Sequence, residues 1–285
     1  MVEHAATALR EFRRDLTPTA TLCLLILSLI LLAAILAPFL APYREGEILT
    51  TGSFVSPGEG LLLGSDYLGR DLFSRLFYGL RLTVAVSFMI AILAFLVGCS
   101  LGFLAAVLGG RFDMLISRLV DALIAFPAIM LALIVLTALG PSIPVLVVTI
   151  AFIDSTRVFR VARALGVDIV VQDYIEAATV RGERFGWLMW HEILPNALVP
   201  LAAEFGIRFT YAILFISALS FLGLGVQPPQ ADLGVLIREN MQGLLYGTFS
   251  PIYPALCIAA ITVSINLLVD WYLRRNDASS PEDLQ

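Results

Sequence analysis

Six long apolar blocks constrain this chain more than any other feature of its sequence. They cover about residues 19–40, 82–108, 114–138, 143–165, 195–217 and 252–273. Each holds about twenty residues or more, enough to cross roughly 30 Å of hydrocarbon as a helix. Composition agrees: 59% of the 285 residues are hydrophobic and 14% charged, where a soluble domain is nearer half apolar and a quarter charged. The expected fold is all-α, a polytopic membrane protein with six transmembrane helices. The expected division is an N-terminal segment 1–18, a transmembrane domain 19–275 and a tail 276–285.

The cationic side chains set the orientation. With the N-terminus inside, the inner segments and span ends carry Arg10, Arg13, Arg14, Arg111, Arg118, Arg157, Arg160, Arg163, Arg181, Arg184, Arg274 and Arg275. The outer ones carry Arg44, Arg70, Arg75, Arg81 and Arg238. Twelve against five follows the positive-inside rule, and an even number of spans puts both termini inside. Arginines ahead of the first block imitate a secretory signal, but the run to Leu40 is longer than a signal's apolar core and more spans follow.

The connections differ in kind. The outer segment 41–81 has turn chemistry at Ala41-Pro42 and Ser56-Pro57-Gly58. Its Asp66/Arg70 and Asp71/Arg75 pairs, each four residues apart, predict an interfacial helix leading into the second span. The outer segment 218–250 is rich in Gly and Pro. Gly98 and Gly102 form a G-x-x-x-G that permits close helix approach, and Pro127 predicts a kink.

The inner loop 166–194 is the most informative stretch. Asp173 with Glu176 is an Asp variant of a capping box and predicts a helix start. Ala177 and Ala178 favour the helix, and Gly182 suits the left-handed position that ends it. A second short helix over about 185–193 leads through Leu194-Pro195 into the fifth span. Such a helix–glycine–helix unit, with a small-residue face, suits docking into a groove on another protein.

Glu176-Ala177-Ala178, Gly182 and Leu194-Pro195 resemble the EAA loop of binding-protein-dependent transport permeases, the membrane subunits of ABC importers. Leu63-Gly64-Ser65-Asp66-Tyr67-Leu68-Gly69-Arg70-Asp71 with Ser74-Arg75, the run from Ala218 to Pro229, and Asn266-Leu267-Leu268 with Asp270 resemble the dipeptide/oligopeptide/nickel branch. The resemblance spans about residues 20–275. It implies a permease subunit in the bacterial cytoplasmic (inner) membrane, forming half of a pathway for short peptides or similar small solutes. Opines and nickel chelates are handled by similar permeases. The implied partners are a second permease subunit, two cytoplasmic ATPase subunits, an extracytoplasmic binding protein docking on 41–81 and 218–250, and membrane lipid. The implied ATPase contacts are Glu176, Ala177, Ala178 and Gly182, ahead of Leu194-Pro195.

Other functions are excluded on chemical grounds. All eighteen cationic side chains are Arg. A phosphate-binding P-loop needs Lys, so ATP and Mg belong to partner subunits and this chain binds no cofactor. Gly98-Cys99-Ser100-Leu101-Gly102 fits a serine-nucleophile pattern. The only histidines, His4 and His191, fall on the inner side, out of reach of Ser100 in mid-span. No catalytic residue is expected, and no His, Cys and Asp share metal-ligand spacing. Cys23, Cys99 and Cys257 sit in apolar blocks as small hydrophobes. No basic face with interleaved aromatics supports nucleic-acid binding. A secondary transporter would be built of paired repeats, and no paired halves are visible.

Charges inside the blocks are costly and point to function. Glu204 and Arg208 share a helix face in the fifth block. Two readings stand: they line the translocation path, or they neutralise each other at a helix interface. Asp121 with Arg118, and Asp154 with Arg157, read as charge pairs at the membrane edge.

Overall fold

The computed structural model describes residues 16–58 and 60–277. The expected N-terminal segment, with Arg10, Arg13, Arg14 and His4, and the tail beyond Asp277 lie largely outside the described residues. Within them the chain is helical and forms no named strand.

Helix α1, Pro18–Ile35, starts where Thr17 caps Ala20 N–H and Pro18 takes a position that needs no donor. Helix α2 runs over Leu72–Leu108, α3 over Gly110–Ile124, α4 over Ala128–Leu139 and α5 over Ile143–Val170. Helix α6 covers Asp173–Val180, α7 Leu194–Phe221, α8 Leu233–Asn240 and α9 Ile252–Asp277.

Four helices among the described residues are long and apolar enough to cross a membrane: Pro18–Ile35, Leu72–Leu108, Phe185–Phe221 and Ile252–Asn276. The α3–α4 pair, bent by 85°, is long and apolar enough for a fifth crossing only when its two halves are taken together. The bend falls at Pro127, where the expected kink is a full break between two helices. Proline removes the amide that would continue the ladder. Helix α5, the remaining expected span, has the length at 28 residues but carries Asp154, Arg157, Arg160 and Arg163.

The tightest packing joins α2 to α5. A Cβ on Gly98 would lie 2.6 Å from Val158 Cβ, one on Gly102 2.8 Å from Ala162 Cβ, and one on Gly166 2.7 Å from Ala106 Cβ. Each pair is offset by sixty positions, so the two helices run parallel, in register, with their backbones almost touching. The G-x-x-x-G motif is thus half of a two-sided seam. At one end of the seam Arg163 on α5 forms a two-pronged ion pair with Asp113 on α3, with Nη2 to Oδ2 at 2.6 Å and Nε to Oδ1.

Segments 36–71 and 222–251 close the end of the bundle expected to face outside. Here the interfacial helix is corrected. Residues 61–71 form turns, and α2 begins directly at Leu72. Asp71 does not pair with Arg75; its carboxylate caps α2, accepting from Ser74 N–H at 2.8 Å and Ser74 Oγ at 2.6 Å. Leu233 N–H donates to Thr83 Oγ1 at 3.0 Å, Ala231 N–H donates to Glu45 Oε1 at 2.7 Å, and Phe54 stacks on Tyr246.

Candidate functional site

The loop between α5 and α7 sits at the opposite end. Helix α6 begins at Asp173 after Gln172, and no side chain caps it, so the expected capping box does not form. Its C-terminus ends as expected: Gly182 is left-handed at φ 81°. Gly182 N–H donates to Thr179 O at 2.9 Å and Glu183 N–H to Ala178 O at 3.2 Å, the paired bonds of a Schellman motif.

The two faces of α6 differ. Ile175 and Ala178 are buried in one cluster with Phe103, Ala162, Leu188 and Ile193. Glu176, Ala177 and Gly182 are exposed, and so are Val180 at 83% and Tyr174. Of the residues read as ATPase contacts, Ala178 therefore fastens the loop to the bundle while its neighbours face away from it.

The second short helix is not separate. It starts at Phe185, widens into a π-helix over Leu188–Ile193 and continues without interruption into α7. Leu194 N–H reaches back to Met189 O. The widened turn lies just before Pro195, whose ring would otherwise meet the carbonyl four residues back. Leu194 is half-buried in the same cluster and Pro195 is exposed. His191 is exposed and stacks on Trp187.

A second set of residues lies halfway along α5 and α7. Arg208 Nε stands 2.7 Å from Glu204 Oε1, both side chains mostly buried. The approach lacks hydrogen-bond alignment, so Arg208 Nε and Nη1 are buried without a hydrogen-bond partner. Across from them Asp154 is buried, and Arg157 Nη1 pairs with its Oδ1 at 3.5 Å. Asp154 lies within electrostatic reach of both Arg208 and Glu204. Both guanidiniums lie over the Tyr211 ring, Arg208 at 4.8 Å and Arg157 at 5.9 Å from its centre.

Asp154 and Arg157 were expected at the membrane edge. They lie near the middle of a 28-residue helix that runs on past the apolar block to Val170. Arg118 and Asp121 are both exposed and form no ion pair with each other among the described residues.

A third constellation ties the outer segments together, and spacing rules found only its Asp66/Arg70 pair. Arg75, only 1% exposed, holds Asp66 Oδ2 at 2.6 Å and Glu239 Oε2 at 2.7 Å through Nη1. Arg70 joins the same two carboxylates at 2.6 and 3.2 Å, and Tyr67 Oη donates to Glu239 Oε1. Beside it, the carboxyl of Asp232 is fully buried and caps α8 through Val235 N–H at 2.7 Å, while Ser220 Oγ donates to it at 2.6 Å. Burial pushes the Asp232 carboxyl up to about 6, against the opposing pull of those hydrogen bonds. Among the described residues no group of His, Cys, Asp and Glu could hold a metal ion.

Comparison with known proteins agrees with this architecture. Residues 98–279 match the family of binding-protein-dependent transport system inner membrane components. Residues 5–50 match the N-terminal transmembrane domain of oligopeptide transport permease C. The chain is 33% identical over 247 residues to the dipeptide transport system permease protein DppC of Alkalihalophilus pseudofirmus, covering 87% of this chain and 81% of that one. It is 35% identical over 253 residues to the di/tripeptide transport system permease protein of Pseudomonas aeruginosa, covering 87% and 84%. It is 32% identical over 267 residues to the glutathione transport system permease protein of Pectobacterium atrosepticum, covering 93% and 89%. The crystal structure of an amino acid ABC transporter shares the fold, with a TM-score of 0.52 at 21% identity over 71% of this chain and 94% of that one. This chain belongs to the binding-protein-dependent transport permeases, as one of their inner membrane components.

Proposed function

We propose that this chain forms half of the translocation pathway of an ATP-driven importer for short peptides or similar small solutes. Its partners are a second permease, two cytoplasmic ATPase subunits that hold ATP and Mg, and an extracytoplasmic binding protein. The bent α3–α4 pair and α5 each count as a crossing in this reading, which makes six spans with both termini in the cytoplasm.

One observation carries the reading. Helix α6 is pinned to the bundle by Ile175 and Ala178, yet turns Glu176, Ala177 and Val180 outward. An exposed apolar and acidic helix face on a short, capped arm suits a groove in another protein. The pin gives that partner mechanical purchase on the spans. The peptide class rests on the names of the relatives, and opines or nickel chelates would use the same machinery.

The test is reconstitution with the ATPase subunits. Glu176→Arg and Gly182→Pro are expected to cut co-purification of the ATPases and ATP-driven uptake by more than tenfold. A secondary transporter would be indifferent to both changes. Uptake undiminished in both variants, or uptake without ATPase subunits, overturns the proposal.

A further inference from the structure

Helices α5 and α7 each carry a cation at the same depth. Arg157 lies fourteen residues along from Ile143, and Arg208 thirteen residues back from Phe221. At 1.5 Å per residue both are about 20 Å from the end expected to face outside, a depth that falls within roughly 30 Å of hydrocarbon. The carboxylates Asp154 and Glu204 accompany them, one beside each guanidinium, and both guanidiniums reach one ring, that of Tyr211.

Mutual neutralisation at a helix interface would predict a closed, saturated cluster. This one is neither. The Arg157 side chain is 42% exposed and its pairing with Asp154 is long, at 3.5 Å. Tyr211 is 49% exposed. Arg208 Nη1 is buried and makes no hydrogen bond. An exposed guanidinium at mid-depth does not face lipid; such charges face a watery cavity or a partner chain. Arg157 is also the one charged residue lining a cavity of about 490 Å³ whose other walls, from α3, α4 and α5, are apolar apart from Thr149 and Thr156. That volume falls in the range of small-ligand sites.

We infer that this face is the solute path, and that Asp154, Arg157, Glu204, Arg208 and Tyr211 form a mid-membrane station for a zwitterion, the backbone of a short peptide. Arg157 takes the terminal carboxylate, by the forked geometry that suits it. Glu204, held in place by Arg208, takes the terminal ammonium. Asp154 and Tyr211 orient Arg157. The apolar cavity beside Arg157 accepts a peptide side chain. The inference rests on the importer reading above and assigns the solute's contact point within it.

The experiment uses the complete importer in proteoliposomes, with radiolabelled alanyl-phenylalanine, its C-terminal amide and its N-acetyl derivative as probes. The binding protein is the same throughout, so its own selectivity cancels when variants are compared with the parent. In Arg157→Gln the free-acid to amide uptake ratio is expected to fall at least fivefold. In Glu204→Gln the free-amine to N-acetyl ratio is expected to fall likewise. Should Arg157→Gln not assemble, Arg157→Lys decides, since it keeps the charge and loses the fork: the same ratio is expected to fall about threefold. Ratios unchanged in every assembled variant overturn the inference. A parent importer that couples ATP hydrolysis to its binding protein yet moves none of the three probes also overturns it, and leaves the importer reading standing. Absence of any coupled ATP hydrolysis sinks the importer reading and this inference with it.

Discussion

Arg75 and Glu239 meet at 2.7 Å although 164 residues separate them in the chain. The contact joins the first turn of α2 to helix α8, at the end of the bundle expected to face outside. Arg75 is buried and shares Asp66 and Glu239 with Arg70, two cations to two carboxylates, so its loss leaves one buried negative charge uncompensated. Arg75→Met is expected to destabilise the chain by about 3–5 kcal/mol, the usual cost of orphaning a buried ion-pair partner. Thermal unfolding of the detergent-purified protein measures it. A melting temperature within a degree of the parent would remove the clasp from any structural role.

The α2–α5 seam gives a second expectation. Gly98→Leu places a side chain where even a Cβ would lie 2.6 Å from Val158. Overpacking costs about 1–3 kcal/mol in cores that can relax, and more where the obstacle is backbone. Here Ser155 O lies 2.8 Å from the same point. Gly98→Leu should therefore unfold at lower temperature than the parent, and Val158→Ala in the same chain should recover part of the loss.

At Gly182 the objection to a side chain is conformational. Nothing lies within 4 Å of where its Cβ would be, but φ is 81°. Gly182→Val should cost about 1–2 kcal/mol of local stability, loosening the end of α6 while leaving the spans intact. The readout is a loss of ATP-driven uptake with an unchanged global melting temperature. Gly182→Asn, which tolerates the left-handed region, should retain most activity.

Asp232 predicts a pH dependence. Its carboxyl stands at about 6 in the folded chain against an ordinary 3.8. The folded state therefore holds the proton more tightly than the unfolded one. The resulting stability is fully present below about 3.8 and is lost as pH rises from there through about 6. Melting temperatures of the parent and Asp232→Asn, followed from pH 4 to 7, check this: the gap in slope should lie in that window. Parallel curves would refute it.

Much of the fold was legible because lipid reads a simple code. The apolar blocks mark the helices that became α1, α2, α7 and α9, and Gly182 marks the end of α6. What escaped was set by partners far away in sequence. Asp71 and Arg75 have ideal spacing for each other, yet Asp71 is drawn to the unpaired amide of Ser74 and Arg75 to Asp66 and Glu239. The near-right-angle break at Pro127 and the widened turn before Pro195 follow from prolines whose outcome depends on what packs against the freed carbonyls. The charge station was half visible: Glu204 and Arg208 declared themselves by spacing, while Asp154 and Arg157 join them only through the packing of α5 beside α7.

Because α2 and α5 share a glycine-lined contact without slack over residues 98–106 and 158–166, a push on one helix there is handed directly to the other. The arm bearing Ala178 is wedged against this pair. Small residues at positions 98, 102 and 166 are thus what leaves no cushion between the arm bearing Ala178 and the two helices behind it: filling them would wedge the pair apart and put give into that joint.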